Sequence, residues 1–330
     1  MMGKERIGWI DSLRGVAMVF VIYGHICPSF QQFFLFTSPV KIPLFFVVSG
    51  YLFKSDIPPF QKMKKLFVSI LVPYFFLSLF PFKLAASFLP LTGLQTADVL
   101  RQFFSGDYLW YLPCCFIAEL IFYFITRYIY AKREPLVILI CLAFTAAGLV
   151  LSKTSLGNFL YISNAMIAQF YLLMGYEMKK HEAKLESFSN RIVIFLTILY
   201  IIIGCFSMKL LPGQNLSARE NHYYNIPLCF LMITLGCFTA ITAFRKWDIN
   251  FKPLSFIGKN TLAYYAFSKY FLSPVIYIFS LIGISLKVTP FIGIILTAVC
   301  CMACAPISLF LNKFFPFSVA KRKPCSVQKS

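Results

Sequence analysis

Long apolar runs recur along the whole chain and alternate with short polar segments that hold most of the lysines and arginines. A run of about 20 apolar residues forms a helix that crosses a hydrocarbon core about 30 Å thick. Helices are favoured over open strands in lipid because they satisfy their own backbone hydrogen bonds. The pattern predicts an all-α integral membrane protein, a bundle of about ten transmembrane helices. The predicted spans are 10–29, 38–54, 66–83, 108–127, 135–151, 157–177, 192–211, 226–244, 260–284 and 290–312.

The composition supports a membrane protein without a soluble part. Hydrophobic residues make up 59% of the chain and charged residues only 13%, whereas soluble domains carry about 25% charge. We therefore expect a single transmembrane domain over residues 1–319, surrounded by membrane lipids. The basic segment 320–330 is expected to be a disordered cytoplasmic tail.

The positive charge of the chain is an orientation signal. The net charge is +19, and it is spread over the short segments between the predicted spans. With the N-terminus inside, the cytoplasmic segments hold 22 Lys and Arg against 7 outside. This bias places both termini in the cytoplasm. Nucleic acid is not an expected partner, because no basic face with stacking aromatics lies outside the spans.

A few ionisable residues lie inside the predicted spans. Five of them are candidates for function: Asp11, Arg14, His25, Glu119 and Lys269. Ionisable groups are costly in a bilayer, so they mark a functional pathway unless a plainer explanation holds. Each has such an alternative: Asp11 and Arg14 as an anchoring ion pair, His25 as an interfacial residue, Glu119 as a protonated or cation-paired carboxyl, and Lys269 as a snorkelling lysine.

Arg14 and His25 have a spacing that suggests acyl transfer. They are eleven positions apart, about three helical turns, and so share one face at about 16 Å along the axis. A guanidinium near the inner end suits phosphate, and an imidazole near the outer end suits proton transfer. Acetyl-CoA, with phosphates at one end and a thioester at the other, has a matching shape. Asp11, three residues before Arg14, can pair with it.

The eleven cysteines fall mostly inside apolar runs, where they act as small packing residues. Cys301 and Cys304 form a CxxC, but a single pair without a neighbouring histidine is a weak metal signal. No metal site is therefore expected.

Six motifs, in order along the chain, resemble those of the membrane-bound acyltransferase family of type three, which includes polysaccharide and fucose O-acetylases. The family hallmark is Arg, ten residues and His on the first helix, matched here by Arg14 and His25. The matching stretches are WIDSLRGVAMVFVIYGH, KIPLFFVVSGYLF, KMKKLFVSILVPYFF, DYLWYLPCCFIAEL, AQFYLLMGYEMKK and LSFIGKNTLAYYAFS.

The resemblance implies an O-acetyltransferase of the bacterial inner membrane. It would transfer an acyl group from cytoplasmic acetyl-CoA, or another acyl-CoA, to a carbohydrate outside. The resemblance and the charged residues inside the spans together give three groups of candidate residues. They are His25, Asp11 and Glu119 for catalysis; Arg14, Lys64, Lys65 and Trp110 for the donor; and Tyr51, Asn260 and Lys269 for the acceptor.

Three positions depart from the family pattern. Lys64 and Lys65 stand where relatives often have arginine, and lysine lacks the bidentate fork. Ser268 stands where many relatives have histidine. These departures leave two alternatives open: a transporter or exporter in which His25 and Glu119 relay protons, and a non-catalytic member of the family.

Overall fold

The computed structural model describes residues 7–27, 31–79, 96–130, 134–210, 216–268, 270 and 289–320. Within these residues the chain is almost entirely helical, and a bridge between Ser217 and His222 is the one pairing of extended backbone. This confirms the all-α prediction for the described residues. The α-helices are α1 Gly8–Ile26, α2 Gln31–Lys41, α3 Pro43–Tyr51, α4 Pro59–Leu66, α5 Val72–Leu79, α6 Thr96–Ser105, α7 Tyr111–Ile125, α8 Glu134–Leu151, α9 Ser155–Asn158, α10 Ile162–Lys180, α11 Glu182–Glu186, α12 Asn190–Leu210, α13 Ile226–Lys246, α14 Lys252–Lys259, α15 261–268 and α16 Pro290–Phe314.

Five helices in the described part of the chain are long and apolar enough to cross a membrane. The number of ten spans and the cytoplasmic position of both termini stay predictions, and residues 321–330 lie outside the described residues. The five helical stretches are Tyr111–Ile129, Glu134–Leu151, Asn190–Ser207, Ile226–Lys246 and Pro290–Phe314.

Several predicted spans are interrupted in the structure. The predicted span 38–54 is shared by two helices that meet at Ile42, because Pro43 starts a new helix at its first position. The predicted span 66–83 contains a π-helical turn over Phe67–Leu71. Residues Leu160 and Tyr161 have positive φ angles just before α10. The apolar pattern therefore found these helices but not the breaks within them.

The described residues form two compact units. The first contains residues 1–53 and 170–305, and the second contains residues 54–169 and 306–330. The single domain predicted over residues 1–319 stays a prediction.

Glycines bring backbones of the first unit into direct contact. A Cβ atom added to Gly15 would lie 2.0 Å from the carbonyl oxygen of Leu254, and one added to Gly258 would lie 1.7 Å from that of Asp11. The same holds for Gly50, whose Cβ would lie 2.0 Å from a backbone oxygen. Small residues allow membrane helices to approach closely. The packing of α1 against α14 is therefore fixed at two glycines, and Gly50 allows a similarly close contact of α3 with the backbone of Leu172.

We expect Gly258→Ala to lower the free energy of unfolding by about 1–3 kcal/mol, the usual cost of overpacking. The new methyl group would meet backbone of α1, which cannot rotate away. Thermal unfolding in detergent micelles measures the effect. Gly293→Ala is the matched control, since its Cβ would meet a tyrosine ring edge at 3.1 Å. Equal melting temperatures for the two variants would contradict the prediction.

Candidate functional site

The first helix presents Arg14 and His25 on one face. Since α1 is unbroken from Gly8 to Ile26, the eleven positions between the two residues correspond to about three turns and about 16 Å. Arg14 is half-buried, and His25 is exposed in the last turn of the helix. The predicted geometry is present in the structure, and the catalytic role of His25 stays a prediction.

Asp11 pairs with a different residue from the one expected. Its side chain is 9% exposed, and its Oδ2 atom lies 3.9 Å from the ammonium group of Lys259. The Oδ2 atom accepts no hydrogen bond within the described residues. Arg14 makes no ion pair or hydrogen bond in the described part of the chain. The suggested pair of Asp11 with Arg14 is therefore not formed, and the donor role of Arg14 stays a prediction.

The packing of α1 on α14 explains why Lys259 reaches Asp11. Gly258 lies against the carbonyl oxygen of Asp11, and Lys259 is the next residue along the chain. The two partners are 248 positions apart, so no local pattern could join them. The sequence did contain one indication of this contact, which is Gly258, because a small residue in an apolar segment marks close helix contact.

Tyr51 is held in a charged cluster at the end of α3. Its hydroxyl donates a 2.8 Å hydrogen bond to Glu182 and accepts one from Arg245. The ammonium group of Lys179 lies 5.2 Å from the centre of its ring, and the Trp9 ring meets it edge-on at 5.6 Å. The hydroxyl is already engaged by protein groups. A contact of Tyr51 with the acceptor stays a prediction.

Glu182 is the centre of this cluster. Burial alone would raise its pKa, but hydrogen bonds from Lys179 and Tyr51 and the charge of Arg245 outweigh burial and hold the pKa below its ordinary value. Arg245 also pairs with Glu186. The carboxylate is therefore charged at neutral pH, and ion pairs and hydrogen bonds connect the ends of α3, α10, α11 and α13.

Asn260 lies at the junction between α14 and α15. It is buried, and its side-chain amide donates a 2.7 Å hydrogen bond back to the carbonyl oxygen of Phe256. Its own carbonyl oxygen accepts from the N–H groups that start α15, which confirms a helix start. Ser268 is buried, and its carbonyl oxygen lies 3.6 Å from Cys300 Sγ. Lys269 lies outside the described residues, and acceptor contacts of Asn260 and Lys269 stay predictions.

In the second unit, Glu119 is paired with a lysine that sequence reasoning did not select. The ammonium group of Lys62 lies 3.1 Å from Glu119 Oε2, and the two side chains are 5% and 16% exposed. The thiol of Cys115 lies 4.0 Å from the other carboxylate oxygen. Lys64 and Lys65, the lysines that the sequence did select, are both exposed. The cation-paired alternative for Glu119 is the one that the structure contains.

The helical period of α4 contained a signal for Lys62. It lies four positions before Leu66, and these two residues are buried in α4. Residues four apart share a helix face, so Lys62 belongs to the apolar face. Lys64 and Lys65 fall on the face that the protein leaves uncovered.

Trp110 lies in an aromatic and acidic cluster before α7. Its ring is 5.2 Å from that of Tyr161, and the Tyr161 hydroxyl donates a 2.8 Å hydrogen bond to Asp107. Ser105 donates a 2.7 Å hydrogen bond to the other oxygen of the same carboxylate. Trp110 is buried. Its predicted role beside the donor stays a prediction.

The candidate residues fall into separate units. His25, Arg14 and Asp11 belong to the first unit, whereas Glu119 and Trp110 belong to the second. The catalytic role of Glu119 stays a prediction. Within the described residues, no three His, Cys, Asp or Glu side chains are grouped as metal ligands.

A family model described as an acyltransferase domain matches residues 7–309, nearly the whole chain. Comparison with curated proteins and with solved structures gives no match.

Proposed function

The chain belongs to the acyltransferase 3 family, in which the matched domain covers residues 7–309, and from this we propose a specific reaction. The protein transfers an acyl group, in the first instance acetyl, from cytoplasmic acyl-CoA to a hydroxyl of a carbohydrate outside the cell. Five helices able to cross a membrane and the family together make it a multi-pass membrane protein. We propose the bacterial inner membrane as its location.

The observation that carries this proposal is the pair of Arg14 and His25 on α1. The helix is unbroken over both residues, and Arg14 has no partner within the described residues. A half-buried guanidinium can bind an anion, and phosphate matches its planar fork. The distance of about 16 Å along the helix suits a donor whose phosphates and thioester are far apart.

In the proposed reaction, His25 is the general base. Its imidazole takes the proton from the acceptor hydroxyl, and the oxygen attacks the carbonyl carbon of the thioester. The new ester C–O bond forms, the C–S bond breaks, and the CoA thiolate receives the proton back from the imidazolium. Arg14 holds the phosphates of the donor at the inner end and so fixes where the thioester lies.

The other candidate residues take supporting roles in this proposal. We retain Glu119 as a catalytic candidate, in which case it would act together with Lys62, its ion-pair partner. Lys64 and Lys65 are exposed and would attract the anionic donor to the surface of α4. We retain Trp110 as a donor contact. The acceptor contacts that we retain are Tyr51, Asn260 and Lys269.

We expect Arg14→Ala to raise the KM for acetyl-CoA by at least about tenfold, because a hydrogen bond to a charged group contributes about 1.5–3 kcal/mol. Arg14→Lys should retain part of the affinity, since it keeps the charge and loses the fork. Release of free thiol by the purified protein in nanodiscs, with p-nitrophenyl glycosides as acceptors, measures the KM.

Arg191→Ala is the control for Arg14→Ala. Arg191 is an exposed arginine at the start of α12, on the side predicted to be cytoplasmic. A KM for acetyl-CoA that is the same in Arg14→Ala as in Arg191→Ala would refute the assignment of Arg14 to the donor. If the wild-type protein transfers no acyl group to any glycoside, the result would favour the alternative that the chain is a non-catalytic member of the family.

A further inference from the structure

Asp11 and Lys259 meet at the contact between α1 and α14, and Arg14 lies one helical turn from Asp11. The Lys259 ammonium group is 3.9 Å from Asp11 Oδ2, and Arg14 follows Asp11 by three positions, which places both on the same helix face. Two of these groups are cations and one is an anion. The three groups together have a net positive charge, and Arg14 is the member that makes no ion pair or hydrogen bond in the described part of the chain.

The position of Lys259 is fixed by backbone packing and not by its side chain. Gly15 and Gly258 bring the backbones of α1 and α14 into contact from both sides. Asp11, whose carbonyl oxygen lies against Gly258, is buried. Its Oδ2 atom accepts no hydrogen bond within the described residues. The separation of 3.9 Å is longer than a hydrogen bond. Asp11 thus attracts the ammonium group to this point without occupying its donors.

An ammonium group has three hydrogen-bond donors. The side chain of Lys259 is 41% exposed, so those donors can turn toward a ligand while the charge stays near Asp11. Arg14 offers a planar fork from the neighbouring turn. Two cations of different geometry around a phosphate ester are a common solution for binding nucleotides, because the fork fixes orientation and the ammonium group supplies charge.

We propose that Lys259 and Arg14 together form a two-cation site for the phosphate esters of the donor, and that Asp11 positions Lys259 within it. This inference rests on the proposed function and deepens it, since it adds a second binding residue and a specific chemical group of the ligand. Lys259 lies in the stretch LSFIGKNTLAYYAFS, but the resemblance implies no role for it, in contrast to Arg14, Lys64 and Lys65.

The test is a comparison of two ligands, of which only one carries phosphate esters. Free CoA and pantetheine share the thiol arm, and CoA adds its phosphate esters together with adenosine. Isothermal titration of the full-length protein in nanodiscs with each ligand gives the ratio of the two Kd values. For Lys259→Gln we expect the preference for CoA to fall by at least about tenfold, and Lys259→Arg should keep most of it.

Lys252→Gln is the matched control, because Lys252 is an exposed lysine at the other end of α14. The proposal is overturned by a Lys259→Gln protein that keeps the wild-type preference, or by a Lys252→Gln protein that loses as much of it. It is also overturned when the wild-type protein binds CoA no more tightly than pantetheine. Because binding is measured without an acceptor, these outcomes are distinct from a wild-type protein that binds CoA but transfers no acyl group.

Discussion

His25→Ala is expected to lower the rate of acyl transfer by about a hundredfold to ten-thousandfold, the usual contribution of a general base. Without the imidazole, the acceptor hydroxyl keeps its proton while it approaches the thioester. His25 is exposed in the last turn of α1, so its removal leaves no cavity in the protein. Transfer of labelled acetyl from acetyl-CoA to glycosides by equal amounts of purified protein measures the loss.

The control for His25→Ala is His181→Ala. His181 lies between α10 and α11, where its ring is 3.8 Å from Glu177, and its loss should leave acetyl transfer close to the wild-type rate. His25→Gln adds a second test, since glutamine keeps a polar side chain but cannot take up the proton. An undiminished rate in both His25 variants would exclude the histidine as the base.

A transport assay with the wild-type protein distinguishes an enzyme from an exporter. An exporter that relays protons through His25 would move a glycan-linked molecule across vesicles that contain no acyl-CoA. The proposed acyltransferase would show no such movement and would release CoA only when a donor is present. Substrate flux in donor-free vesicles would therefore favour the exporter.

Lys62→Met is expected to lower the free energy of unfolding by about 3–5 kcal/mol, because it leaves a partly buried charge without its counter-ion. Glu119 is 16% exposed, and Lys62, at 3.1 Å, is its cation within the described residues. The double variant Lys62→Met with Glu119→Leu should recover most of the loss, because an apolar pair replaces the ion pair without a stranded charge. Unfolding in detergent, followed by circular dichroism, measures both values.

Lys64→Met is the comparison for Lys62→Met. Lys64 lies on the same helix two positions further on and is exposed, so its removal should change stability by less than about 0.5 kcal/mol, as is usual at surface positions. Equal losses for Lys62→Met and Lys64→Met would show that the ion pair with Glu119 contributes little. A double variant that is less stable than Lys62→Met would also contradict the prediction.

The local amino-acid sequence determined which residues are helical and which of them share a helix face. The apolar runs predicted α1, α7, α8, α12, α13 and α16, because a periodic apolar segment of this length has few alternatives to a helix. The phase of α1 placed Arg14 and His25 together, since the helical turn is a local property. The breaks at Ile42 and Leu160 were not predictable from hydrophobicity, because they depend on backbone angles rather than on apolar character.

The sequence by itself determined that the chain is helical, that its helices suit a membrane, and that one of them carries the family's arginine and histidine. Only the tertiary structure decided the partners of the charged groups. Asp11 meets Lys259 because two glycines let α1 and α14 touch, and Glu119 meets Lys62 across 57 positions of chain. Periodicity gives the direction of a side chain from its own helix, whereas its partner depends on which helices pack together and how closely.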